Sequence, residues 1–323
     1  MHRSSPFLYL ALLGLLFFAG DRLGALVLGH VVDASEFRFS RLHRGGLDND
    51  ILVVGNSRAV HSVFAPQLGR MLGCSVFNAA YNGMSGEVVE AVVEDYLVHN
   101  KPPKIVLIEV SDAVDSPVLV NELRLFARDS GPVHDLVQRF DPWNDVWATI
   151  SHLYEFNNEM TLRAFYQLHR SDQDWIMYDR PMTPEVLAHI PLDEFKDYHS
   201  RPESVAALRR LVNELQASGI KPVLYIAPFH PYFRKLVPRY VEWESALQRD
   251  FGAGEPILDM SQMLGDNENF TDLLHVNIHG SRLVTAAMAE RLRPMMAKVA
   301  ANTASATPTI LSVPSHADTA DLH

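Results

Sequence analysis

One cysteine, Cys74, occurs in 323 residues. That excludes an intrachain disulfide framework and a multi-cysteine metal site. The surroundings of Cys74 read as a core strand carrying a buried thiol. An oxidising compartment remains open to the chain, because a domain of this length does not depend on cross-links. Basic charge is also in short supply. Lys and Arg number 28 against 39 Asp and Glu, for a formal net charge of −11, and no basic stripe runs along the chain. Neutralising phosphates needs clustered cations, so nucleic acid is excluded as a partner. No internal repeat is present.

Long apolar runs are confined to the beginning. Pro6 to Gly20 is almost wholly apolar, Asp21-Arg22 interrupts it, and a second apolar stretch continues from Leu23 to Val32. The whole is long enough to span a bilayer if Asp21 and Arg22 pair or snorkel. Phe17 occupies the first small position ahead of Ala19, so the small-x-small pattern of a cleavage site is missing. Residues 1–32 are therefore read as an uncleaved anchor, in preference to a cleaved signal peptide or a buried soluble helix. Arg38, Arg41 and Arg44 just beyond it run against the positive-inside pattern.

Residues 33–47 are polar and read as a linker. From residue 48 to 300 the chain alternates strand and helix signals. The strand signals are Ile51–Val54, Cys74–Asn78, Lys104–Val110, Lys221–Ala227 and Pro256–Asp259. Helical periodicity covers His61–Leu72, Glu87–Asn100, Pro202–Ser218, Val237–Phe251 and Gly280–Ala300. This order predicts an α/β fold: a doubly wound, parallel, five-stranded, flavodoxin-like sheet with helices on both faces. Residues 112–201 lose the alternation. Their scattered aromatics predict a mostly helical insertion, either a lid over the sheet's carboxyl edge or a subdomain packing its own aromatics. The Ala-, Thr-, Ser- and Pro-rich residues 301–323 read as a disordered tail.

Chemistry concentrates at two places. Ile51-Leu52-Val53-Val54 stops at Gly55-Asn56-Ser57-Arg58, which puts a serine at the turn after a buried strand, where open α/β sheets hold ligands. Serine is also a common helix N-cap, and only a partner elsewhere distinguishes the two roles. That partner is Asp272-Leu273-Leu274-His275, in which the carboxylate can fix the imidazole tautomer and leave the other ring nitrogen free to take a proton from Ser57. His230, at the end of the fourth strand, and Arg58 are weaker substrate-binding candidates. His275, Asp272 and His279 are metal ligands by residue type, but no third ligand cluster supports them, so no metal and no cofactor are expected.

Together these blocks resemble the SGNH, or GDSL-type, hydrolase superfamily over roughly residues 48 to 298. Gly55-Asn56-Ser57 stands where that family has Gly-Asp-Ser, and Asn78 with Gly83 matches its second block. Asp272-Leu273-Leu274-His275, followed by Asn277 and Gly280, matches the last. The resemblance implies Ser57 as nucleophile, His275 as base and Asp272 as its orienting partner. The backbone N–H groups of Ser57 and Gly83 would be oxyanion donors, each stabilising the tetrahedral oxyanion by roughly 3 kcal/mol. One block departs from the pattern. Where the family has an asparagine donor after the third strand, this chain reads Glu109-Val110-Ser111-Asp112. That leaves Asn82, Ser111 or Arg58 as a substitute, or a weaker oxyanion hole.

The same departure occurs in divergent membrane-anchored members, and the chain is similar to alginate acetylation and D-alanyl transfer proteins. That likeness implies a single-pass inner-membrane protein with its domain in the periplasm. It would be a serine esterase or O-acyltransferase acting on an acylated cell-envelope polysaccharide or lipid-linked glycan, beside a membrane-bound O-acyltransferase. The alternative is a catalytically inactive glycan-binding or assembly subunit of an export complex.

Overall fold

The computed structural model describes residues 6–111, 119–170, 178–251 and 257–305. Helix α1 (Pro6–Ala34) and the short α2 (Arg38–Arg44) lead into strand β1 (Ile51–Val54). Helices α3 (Ser57–Ser62) and α4 (Ala65–Leu72) follow, then β2 (Val76–Asn78), α5 (Gly86–His99) and β3 (Ile105–Glu109). Between β3 and the next strand lie α6 (Val120–Leu123), α7 (Gly131–Phe140), α8 (Asn144–Ile150), α9 (Glu159–Tyr166), α10 (Pro184–Ala188) and α11 (Pro202–Ala217). Strand β4 (Lys221–Ile226), helices α12 (Phe233–Leu236) and α13 (Tyr240–Phe251), β5 (Leu258–Asp259) and α14 (Ile278–Ser305) complete the chain.

The five strands form one all-parallel sheet in the order β2-β1-β3-β4-β5. This is the flavodoxin-like order expected from the sequence. Strands β1 and β3 are buried at every position, which explains the unalternating apolar runs Ile51–Val54 and Ile105–Ile108, the latter ended by the buried Glu109. Helix α4 packs on α14, while α5 packs on α11 and α7, so the crossovers cover both faces.

Several segments differ from the sequence reading. The helix expected over His61–Leu72 is two helices, because Pro66 at the start of α4 restricts Ala65 and the chain turns at Val63-Phe64. Cys74 lies ahead of β2, half-buried, and burial raises its thiol pKa with a further push from Asp50. The supposed linker is packed. Phe37, Phe39 and Leu42 are core residues, and Arg38 is buried with its guanidinium on the Ala80 carbonyl. Helix α14 runs on to Ser305, past the expected end. Asp112, Trp175, Pro256 and, of the expected disordered tail, residues 306–323 lie outside the described residues.

The insertion divides in two. Its first half, from Leu119 to Arg170, packs on α5 and on the C-terminal half of α1. Here Asp21 accepts the Ser151 hydroxyl and the backbone N–H groups of His152 (2.8 Å) and Leu153 (3.2 Å), while Arg22 holds the Thr149 carbonyl at 2.9 Å. The two charges that interrupt the apolar run are thus the clamp that fixes α1 to the domain. The second half, around α10, lies beside the candidate site.

Candidate active site

Ser57 is the first residue of α3, immediately after the turn that ends β1. That turn needs glycine: Gly55 has φ +137°, and a Cβ there would stand 2.8 Å from the Glu109 Cβ. Asn56 caps the helix by accepting the Arg58 N–H at 2.9 Å. The Ser57 N–H is another of the first-turn donors without an intrahelical acceptor.

The hydroxyl and the imidazole meet. Ser57 Oγ lies 2.7 Å from His275 Nε2, across 218 positions of sequence. His275 Nδ1 lies 2.8 Å from Asp272 Oδ2, and Asp272 Oδ1 accepts the backbone N–H groups of Leu274 (2.7 Å) and His275 (2.8 Å). Surrounding protein raises the Asp272 pKa, but the His275 hydrogen bond and charge with those two N–H groups outweigh it, leaving the carboxyl below its ordinary value. The carboxylate is therefore ionised and holds Nδ1 as the protonated ring nitrogen, so Nε2 is the one free to accept from Ser57.

The second block is placed as the geometry of this turn requires. Tyr81 N–H donates to the Gly55 carbonyl at 3.2 Å, which tethers the loop carrying Asn82 and Gly83 to the serine turn. Gly83 has φ +76° and Asn82 is exposed. Asn78 is buried, with its amide donating to the Val63 carbonyl at 3.1 Å and its Oδ1 accepting Ala80 N–H at 3.0 Å. It fastens the end of β2 to the end of α3. Downstream, the Asn277 side chain accepts the N–H groups of His279 and Gly280 and starts α14, and a Cβ at Gly280 would lie 2.2 Å from the Asn269 carbonyl.

Three side chains proposed for substrate or oxyanion contact are instead spent inside the protein. Arg58 is 4% exposed. Its Nε donates to Ser111 Oγ at 2.7 Å, Nη1 to the Leu274 carbonyl at 2.8 Å and Nη2 to the Ala227 carbonyl, and the guanidinium lies 3.4 Å over the Phe229 ring. Ser111 is buried with its hydroxyl donating to Glu109, so it has no proton to offer an oxyanion. His230 is buried too, with Nε2 against Asn267 Oδ1 at 2.8 Å and Nδ1 accepting Tyr232 N–H. His279 sits apart at the surface, 3.5 Å from Asp179, and joins no ligand set with His275.

His61 escaped the sequence reading. One helical turn after Ser57, it is buried with its ring 5.1 Å from that of His275 at an edge-on 61° and stacked 5.1 Å from Tyr178. The spacing of four from Ser57 on a helix was the available signal, and the stacking partners come from distant segments. A cavity of about 610 Å³ opens beside the triad, between Asp272–His275 and the α10 region, lined by Met182, Val186, Ile190 and Phe195 with Glu185 and Glu194 at its margin. Ser57 is not among its lining residues, so the cavity adjoins the base side of the site.

The class defined by this fold and site is a flavodoxin-like α/β protein with a hydrogen-bonded Ser57-His275-Asp272 set at the carboxyl edge of its sheet. Neither a protein-family model nor a curated protein matches the chain. Among solved structures it is similar to a "putative lipolytic protein of G-D-S-L family from Desulfitobacterium hafniense DCB-2", at 12% identity and a TM-score of 0.38, over 75% of this chain and 99% of that one.

Proposed function

We propose that the chain is a serine acyl esterase or O-acyltransferase acting on a cell-envelope glycan or lipid-linked glycan. The observation that carries this reading is the 2.7 Å contact between Ser57 Oγ and His275 Nε2, with Asp272 behind the ring. Ser57 Oγ attacks the ester carbonyl as its proton passes to Nε2. Collapse of the tetrahedral intermediate breaks the ester C–O bond, and the proton on Nε2 goes to the departing alcohol. Water or a sugar hydroxyl then gives a proton to Nε2 and attacks acyl-Ser57; collapse of that second intermediate breaks the acyl–Oγ bond, Ser57 Oγ takes the proton back from Nε2, and the identity of the second nucleophile separates hydrolysis from transfer. Oxyanion stabilisation falls to backbone N–H groups, those of Ser57 and Gly83, since the Ser111 hydroxyl is occupied. The apolar cavity beside His275 suits the acyl portion of the substrate.

Helix α1 supports a membrane-held domain. Among the described residues it is the helix long and apolar enough to cross a bilayer, with a mean hydropathy of 1.8, and Phe7, Leu10, Leu13 and Phe17 on it are exposed. Pro6 to Gly20 is shorter than the about 20 residues a bilayer core requires. The exposed Leu23, Leu26 and Val27 beyond the Asp21 clamp extend the apolar surface. Trp143, Trp147 and Ile150 are exposed along α8, whose C-terminal carbonyls Arg22 holds, and aromatic residues of that kind favour the headgroup level. On this reading the domain rests on the bilayer outside the cytoplasm, where an O-acyltransferase in the membrane would supply or receive acyl groups.

The second reading is a non-catalytic glycan-binding subunit, favoured by the loss of a side-chain oxyanion donor after β3. Labelling with a fluorophosphonate separates the two. Wild type is expected to label and Ser57→Ala not to; a folded wild type that fails to label sinks the enzyme reading. Acetate release from an activated ester, with and without added oligosaccharide, then distinguishes hydrolysis from transfer.

A further inference from the structure

Far from Ser57, at the end of α5 that lies towards the amino edge of the sheet, three ligand-type side chains converge. His43 comes from α2, and Asp95 and His99 come from α5, four residues apart on one helix face. Their candidate ligand atoms all lie within 4.8 Å of one another. Asp95 Oδ2 is 3.5 Å from His43 Nδ1, and Asp95 Oδ1 is 3.0 Å from His99 Nδ1. The ligands of a tetrahedral zinc ion, with bonds near 2 Å, stand roughly 3.3 Å apart. The two histidines meet different oxygens of Asp95, and with one ligand atom per residue the spacings run to at most 4.8 Å, so closing on an ion asks only a small inward movement of the side chains.

Hydrogen bonding leaves the cluster incomplete. Asp95 is 3% exposed; its Oδ1 makes no well-aligned hydrogen bond although the His99 ring nitrogen is 3.0 Å away, and the buried His43 Nδ1, 3.5 Å from Oδ2, likewise makes none. His99 Nδ1 also lies 3.0 Å from the Asp95 carbonyl oxygen, a contact that metal binding would replace. A buried carboxylate needs a counter-charge or a coordinated cation. The nearby arginines do not provide one, since Arg41 and Arg44 turn to Glu36. We propose that His43, Asp95 and His99 bind a divalent transition metal, zinc by the character of the ligand set, and that the ion clips α2 to α5.

Two imidazoles and a carboxylate supply three of four zinc positions, and water can supply the fourth. His43 borders a cleft of about 360 Å³ between α1 and the 152–156 turn, which gives an ion and its water a way in. The Phe126 ring, 5.3 Å from His43, covers another side. The Gly46 N–H already donates to the His99 carbonyl at 3.4 Å, so the ion would reinforce an existing junction between the segment after α1 and the sheet domain. The role is structural, and it stands whether or not Ser57 is a nucleophile.

The test uses the full chain in detergent, stripped with chelator and titrated with zinc chloride by calorimetry, with bound metal and the unfolding temperature measured alongside. One zinc per chain is expected, with a rise in unfolding temperature. Asp95→Asn and His43→Ala should lose both responses, while His279→Ala, at the exposed His279–Asp179 pair, should keep them. If Asp95→Asn fails to fold, His99→Gln takes its place. Wild type without stoichiometric zinc, or wild type and His43→Ala binding alike, overturns the proposal; fluorophosphonate labelling is read separately.

Discussion

Arg58 donates from Nη1 to the carbonyl of Leu274 at 2.8 Å, so the residue after the serine holds the residue before the histidine. The same guanidinium reaches the ends of β3 and β4 through Ser111 and the Ala227 carbonyl, with the buried Glu109 carboxylate as its counter-charge at 3.5 Å. The distance between Ser57 and His275 is therefore set by a cation that touches neither. Removing one partner of a buried ion pair leaves the other charge uncompensated, which costs about 3–5 kcal/mol.

Arg58→Met should accordingly lower stability by about that amount. It should also slow fluorophosphonate labelling of Ser57 under conditions where the variant is folded. Denaturant unfolding and labelling rates, measured together, check both effects. Arg58→Lys keeps the charge but loses the fork and the ring stacking, and should recover only part of each.

Asp272→Asn should leave the fold intact and reduce turnover of an activated ester on the order of 10³–10⁴-fold, because the amide no longer fixes the tautomer with Nε2 unprotonated. Steady-state kinetics beside a circular dichroism spectrum measure this. Wild-type turnover in the variant would remove Asp272 from the relay.

Gly55→Ala should destabilise the domain. The added methyl meets the Glu109 Cβ at 2.8 Å and the Ala59 Cβ at 3.0 Å, at a backbone angle that L residues rarely adopt. The expected result is a lower denaturant midpoint together with lost labelling, since the turn that aims Ser57 must shift.

Glu94 yields a pH prediction. Burial, with repulsion from Glu90 and Glu214, pushes its pKa up from 4.5 to about 7. Between those two values the unfolded chain has released the proton while the folded chain keeps it, so this group makes stability fall as pH rises. Glu94→Gln should raise the unfolding temperature at pH near 8 and leave it little changed at pH near 4.5. Thermal scans at both values decide it.

For the bilayer-facing surface, lipids brominated in the acyl chain should quench the fluorescence of the reconstituted full chain. In a Trp175→Phe background, the Trp143→Phe, Trp147→Phe double variant should lose that quenching, because the remaining Trp243 is buried in the core. Quenching that persists in the double variant would remove α8 from the interface.

The strands were the most legible part of the sequence. Strands buried on both faces must be unbroken apolar runs, and β1 and β3 appear within a residue of where those runs lie. The three side chains that meet at the carboxyl edge were legible because short local motifs carry them: a glycine turn before Ser57 and the three-residue spacing of Asp272 and His275. Arg58, His230 and Ser111 were misjudged for a common reason. Each is polar and sits at the carboxyl edge, and sequence does not record that the edge also has an interior. Asp21 and Arg22 looked like a flaw in an apolar helix because their partners, Ser151 to Leu153 and Thr149, are more than a hundred positions away.

By itself, then, the sequence determined the parallel sheet, the apolar leading helix and the identity of three residues suited to acyl chemistry. All of these follow from local periodicity and turn chemistry. Only the tertiary structure decided that Ser57 and His275 touch, that Arg58 is a brace within the fold, and that His43 meets Asp95 and His99. Those pairings depend on which distant segments pack side by side, and burial converts a polar side chain from a surface group into one that must find its partner inside.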